Sequence, residues 1–130
     1  MTGSAARSVI VHRTVREFRL EGGRLSVDER NGFVMAQGRA ESVSPRCARL
    51  IRCLCDHYRT CPKGVGAPVI MRAIWGRENV RGANLQQLAK VAAEARVALK
   101  PLGFSVERFR QAGVADWPGY RLVRTRGADE

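Results

Sequence analysis

A chain of 130 residues, 45% of them hydrophobic, is long enough for one domain whose core needs no disulfide or metal staple. Its longest apolar runs are a few residues, far short of the roughly 20 that a membrane-spanning helix requires, which excludes that class. The formal charge of +11, from 23 Lys and Arg against 12 Asp and Glu, points to a polyanionic partner. All of these basic residues except Lys63, Lys90 and Lys100 are arginine, whose planar fork of donors suits phosphate and guanine. A GC-rich coding sequence also writes Arg for Lys, but it does not explain the excess of positive over negative charge. Residues 1–8 lack an apolar segment after a basic start, so no secretory leader is expected and the cytoplasm is the default compartment.

Residues 1–16 read as a flexible basic arm in which Val9-Ile10-Val11 is the seed of an edge strand. From Glu17 the pattern has period two: Phe18 and Leu20, then Leu25 and Val27, alternate around Gly22-Gly23, as a hairpin requires. Asn31-Gly32 is a second turn signal ahead of Phe33, Val34 and Met35, and Gly38 introduces a short strand over residues 39–43. The first third is therefore expected to be a small antiparallel sheet. Ser44-Pro45 then starts a helix, with a capping hydroxyl followed by proline at the first helical position. Cys47, Leu50, Ile51, Leu54 and Tyr58 fall on one face, and Arg46, Arg49, Arg52 and Asp56 on the other. A flexible loop with Gly64 and Gly66 follows. Pro68 opens a second helix through Ile70, Met71, Ile74 and Trp75, with Trp75 as a core anchor and Gly76 as the stop.

The third helix has Asn84 as N-cap with Gln87 three residues on, and an apolar stripe of Leu85, Leu88, Val91 or Ala92, Ala95 and Leu99. Pro101 and Gly103 end it, and the opposite face carries Gln86, Gln87, Lys90, Ala93 and Glu94. Phe104, Val106 and Phe109 read as a strand, with Tyr120, Leu122 and Val123 as its return past a loop holding Gly113 and Trp117-Pro118-Gly119. In this hairpin Arg108, Arg110, Arg121 and Arg124 alternate with apolar residues and are expected to line its outward face.

Cys47, Cys53, Cys55 and Cys61 lie close together and, with His57, spell Cys-x-Cys-x-His-x3-Cys at their C-terminal end. Structural zinc sites pair such a unit with a second, distant ligand pair, which this chain lacks, and helical geometry points positions 53, 55 and 57 in different directions. The cysteines are expected to be reduced thiols packed as small apolar residues, with a redox role for Cys53 or Cys61 left open. No nucleophile with a positioned base accompanies His12 or His57, and Gly64-Val65-Gly66 has no Lys-Ser/Thr sequel. Neither an enzyme nor a cofactor is expected.

Sheet, three helices and a hairpin is the order of a winged helix-turn-helix. Particular residues narrow it: Ser44-Pro45 opening the first helix, Met71-Arg72-Ala73-Ile74-Trp75-Gly76 closing the second, Ala95-Arg96-Val97-Ala98-Leu99 closing the third, and Gly119-Tyr120-Arg121-Leu122 in the last strand. In order and spacing these resemble the effector domain of the OmpR/PhoB-type bacterial transcription regulators, over residues 17–124. The resemblance implies an α+β winged helix-turn-helix with an N-terminal antiparallel sheet, three helices and a C-terminal β-hairpin wing. Residues 1–16 and 125–130 would be arm and tail, too short for the receiver domain of the family. It further implies sequence-directed double-stranded DNA binding, with the third helix in the major groove and the wing on the backbone or minor groove.

On that reading Gln86, Gln87 and Lys90 read base edges behind Asn84, and Arg77, Arg81 and Arg96 clamp phosphates. Arg108, Arg110, Arg121 and Arg124 contact the sugar-phosphate or the minor groove, and two protomers share repeated half-sites. Segments 60–67 and 111–118 are longer than is usual in the family. Ala93 and Glu94 stand where many members carry arginines, and a carboxylate facing phosphates lowers affinity. The alternative is therefore a winged-helix protein-interaction module acting on RNA polymerase or another regulator, and a nucleoid binder with little sequence preference is a third option. None of these readings involves a membrane.

Overall fold

The computed structural model describes residues 15–20, 23–61, 63–79, 85–110 and 118–125, and of 77–79 and 110 the backbone alone. The arm before Val15, with its expected edge strand, Trp117 and the tail beyond residue 125 lie outside the described residues. The first sheet contains β1 (Val15–Leu20), β2 (Gly23–Asp28), β3 (Phe33–Ala36) and β4 (Arg39–Ser42), antiparallel and in that order. Phe18 lies opposite Leu25 and Val27 opposite Val34, so strand alternation gathers Leu20, Leu25, Val27, Val34 and Ala36 on one buried face. Strand β1 takes up Val15 and Arg16, two residues that composition assigns to the arm.

Local chemistry sets the turns. The Asp28 carboxylate accepts hydrogen bonds from the Asn31 backbone N–H at 3.1 Å and from Asn31 Nδ2 at 2.8 Å, so its burial leaves it satisfied. Gly32, at φ 74, passes so close to Val43 that a Cβ would sit 2.7 Å from its carbonyl oxygen. Between β3 and β4, Gln37 and Gly38 both have positive φ (52 and 76), as a two-residue hairpin turn demands.

Helix α1 (Pro45–Asp56) is capped by the Ser44 side chain, which accepts from Cys47 N–H at 3.2 Å. Helix α2 (Ala67–Asn79) loses helical geometry at Gly76 (φ 76, ψ 172), the stop that the sequence shows. Arg49 of α1 donates to the Ile74 carbonyl at 3.0 Å, satisfying an acceptor beside that break and tying the two helices together. Helix α3 (Leu85–Leu99) runs into a 3-10 turn, Lys100–Leu102, which Gly103 ends in the left-handed region. Leu50, Ile51 and Leu54 of α1, Ile70 and Ile74 of α2, and Leu88 and Leu99 of α3 close on the sheet's Leu25, Val27 and Val34 to form the core.

A second sheet holds β5 (Val65–Gly66), β6 (Phe104–Arg110) and β7 (Pro118–Arg124), in the order β5-β7-β6. Strand β5 falls in the segment that its glycines mark as a flexible loop. Two residues are too few to show alternation, and pairing decides instead: Val65 lies opposite Tyr120 and Gly66 opposite Gly119. The Phe109 ring covers Gly64 and Gly119, where any Cβ would collide with it.

Cys47, Cys53 and Cys55 pack into the core as small apolar side chains, and Cys61 is half-buried. Burial, reinforced by Glu94, pushes the Cys47 thiol up to about 12. Burial, with Asp56 and Cys61 nearby, takes Cys53 up to about 11, and burial raises Cys55 as well. These three thiols therefore stay protonated at neutral pH. Among the described residues no three His, Cys, Asp or Glu side chains converge as a metal site, and no helix is long and apolar enough to cross a membrane. The architecture is α+β: a four-stranded antiparallel sheet, three helices and a smaller three-stranded sheet.

Candidate nucleic-acid interface

Helix α3 buries Leu88, Val91, Ala92, Ala95, Ala98 and Leu99, which leaves the remaining face outside the core. Gln86, Ala89, Lys90, Ala93 and Val97 are exposed along it at spacings of three and four, a single ridge on a 3.6-residue helix. Two of the three expected base readers, Gln86 and Lys90, stand on this ridge, while Gln87 is half-buried at its flank. Val97, at 75% exposure, is the most open large hydrophobic side chain among the described residues.

Glu94 departs from the expectation that it shares the exposed face. Its Oε2 accepts from the Ser44 backbone N–H and its Oε1 from the Ser44 hydroxyl, both at 2.8 Å. In a capping box the residue three places after the N-cap returns a carboxylate to the N-cap N–H. Here that place holds Cys47, and Glu94 supplies the carboxylate from another helix, 50 residues along the chain. Its charge is also placed favourably at the positive end of the α1 dipole. Because Glu94 is the one acidic residue in α3, the exposed ridge carries no carboxylate.

Arg96, expected to clamp phosphate, is half-buried and tied to the fold through one of its nitrogens. Its Nε donates to the Val106 carbonyl at 2.7 Å, so the guanidinium bridges α3 to β6, the edge strand of the second sheet. That contact occupies an edge acceptor that would otherwise invite another strand.

The hairpin arginines do not form one outward row. Residues directly opposite in an antiparallel pair share a face. Arg108 opposite Tyr120 and Arg124 opposite Phe104 therefore lie on the side of buried Val106 and Leu122, whereas Arg121 opposite Glu107 lies on the other. Arg121 and Arg124 are an odd number of residues apart and cannot share a face of one regular strand. Arg121 Nη2 pairs with Glu107 Oε1 at 2.8 Å, and the Arg124 guanidinium lies over the Phe104 ring, 5.9 Å from its centre. Arg108 is exposed, opposite the buried Tyr120, and has no ion pair among the described residues.

Arg110 sits opposite Pro118, and Arg77 belongs to the turn after Gly76, but their side chains lie outside the described residues. Arg81 and Asn84 lie outside them altogether, as does most of the hairpin turn, residues 111–117. Trp75 is half-buried against the core, as expected, with the Arg46 guanidinium 5.6 Å above its ring. Two exposed cations without a motif to mark them, Arg39 and Lys100, stand near the C-terminal end of α3. Lys100 falls three residues after Val97, so helical spacing from the ridge is the signal that finds it. Set against protein-family models, curated proteins and solved structures, the chain matches none of them.

Proposed function

We propose that this chain is a winged-helix protein of the OmpR/PhoB kind that binds double-stranded DNA and regulates transcription. In this reading α3 enters the major groove and the β6–β7 hairpin lies on the backbone or in the minor groove beside it. The observation that carries it is the withdrawal of Glu94 into the α1 cap, which leaves Gln86 and Lys90 as the polar groups of an exposed ridge without acid. Glutamine can pair with adenine N6 and N7, lysine with guanine O6 or N7, and the methyls of Ala89 and Ala93 suit the thymine methyl. Arg108 is the described hairpin cation best placed for phosphate. The net charge of +11 supplies the sequence-independent attraction. Two protomers on repeated half-sites, in the cytoplasm with the nucleoid, complete the proposal.

The test is fluorescence anisotropy with a random-sequence duplex across a salt series. Neutralising about six phosphates gives a slope of log affinity against log salt of about −5. Absence of binding at low salt would sink the reading. The second reading, a protein-interaction module on RNA polymerase or another regulator, would then gain from the apolar strip of Ala89, Ala93 and Val97 along the same ridge.

A further inference from the structure

Where β4 and the C-terminal end of α3 diverge, the surface opens into a cleft of about 640 Å3. Three cations line it, Arg39, Arg96 and Lys100, together with the hydroxyl residues Ser105 and Thr125 and an aromatic wall, Phe104. Elsewhere Arg24 pairs with Glu17, Arg49 and Arg52 with Glu29, and Arg121 with Glu107. The cleft gathers three cations in one concave surface. None of them makes an ion pair among the described residues, and no lining residue is acidic.

The C-terminal end of α3 offsets only part of this, since a helix dipole amounts to about half a negative charge. A concave surface with a surplus of two or more positive charges concentrates anions. The geometry is also pre-set. The Gln37–Gly38 turn places Arg39 opposite Ala36, on the packed side of its sheet, so it overhangs the cleft and does not point away from it. The Arg96 guanidinium is held by the Val106 carbonyl.

We propose that this cleft binds a phosphate-bearing ligand. A phosphate monoester carries a charge of about −1.5 to −2 at neutral pH and three strong acceptor oxygens. Guanidinium, ammonium and two hydroxyls match it in charge and in donors. Phe104 gives the organic part of an ester an apolar wall, and the volume suits a ligand of mononucleotide size. The phosphate comes either from a free ester or from the backbone of a bound nucleic acid. Neither source requires that α3 read bases.

The experiment is a nitrogen-15 NMR titration of the full chain with adenosine monophosphate, with uncharged adenosine as reference. The expected result is saturable shifts at Lys100, Ser105 and Thr125 with the phosphate ester and none with adenosine. The double variant Arg39→Ala/Lys100→Ala weakens the ester by about tenfold, while Arg59→Ala/Lys63→Ala, which removes equal charge from exposed positions elsewhere, does not. If the ester gives no shifts but the cleft variant alone reduces the duplex salt slope by about two, the phosphate belongs to nucleic acid. Equal shifts with adenosine, equal losses in both double variants, or no effect in either arm would overturn the site.

Discussion

Replacing Glu94 with alanine is expected to cost about 2–3 kcal/mol of stability without improving the affinity of the folded protein for DNA. The carboxylate makes two charge-assisted hydrogen bonds at 2.8 Å to one residue, the Ser44 cap that starts α1. A cap contributes about 0.5–2 kcal/mol, and a hydrogen bond to a charged group about 1.5–3 kcal/mol. The two ranges describe overlapping contacts and do not add. Loss of the carboxylate leaves a part-buried N–H and hydroxyl without their acceptor and unties α1 from α3. For a domain of this size the melting temperature should fall by about 10 °C. Glu94→Gln keeps one acceptor oxygen and should fall between. A carboxylate facing the duplex would behave oppositely: its removal would tighten binding at low salt and leave melting unchanged. Thermal unfolding with duplex anisotropy on the same variant separates the two, and tighter binding at an unchanged melting temperature would refute this placement.

Lys90→Ala should act on binding and hardly on folding. Lys90 is exposed in the middle of the ridge, and alanine is the best helix former, so stability should change by less than about 0.5 kcal/mol. On the preferred sequence, found by selection from a random pool, the loss should be about 1–3 kcal/mol and the choice of base at one position should relax. On random duplex, only the small loss of one charge is expected. An equal loss on every sequence would make Lys90 a phosphate contact and remove it from base reading. Combining it with Gln86→Ala, one helical turn away, tests whether the two read separate bases or a single step.

These residues also show which parts of the molecule are readable from sequence. Ser44-Pro45, Asn31-Gly32 and Gly76 announce their structures because a cap, a tight turn and a helix stop are decided within a few residues. The apolar stripe of α3 is legible for the same reason: its period is a local property, and Leu88, Ala95 and Leu99 are buried as it requires. Tertiary pairing hides the rest. Strand β5 has no period of its own and exists through Tyr120 and Gly119, more than 50 residues later. Glu94 is helical and polar, and spacing alone puts it with the exposed face. Its direction is set by Ser44, whose missing local partner (cysteine stands at the capping-box position) is visible only once a distant acid is sought. The split of the hairpin arginines was partly legible, since Arg121 and Arg124 are an odd number apart, but the pairing of Arg121 with Glu107 requires the register.

The claim on which the functional account rests is that the acid-free face of α3 is the surface offered to a duplex. Nitrogen-15 NMR of the protein with a duplex at low salt, using cross-saturation from the DNA, maps that surface directly. The account predicts the strongest transfer at Gln86, Ala89, Lys90 and Ala93, with Phe33 and Met35 on the outer side of the four-stranded sheet unaffected. Transfer centred on Phe33 and Met35 while α3 stays silent would contradict it.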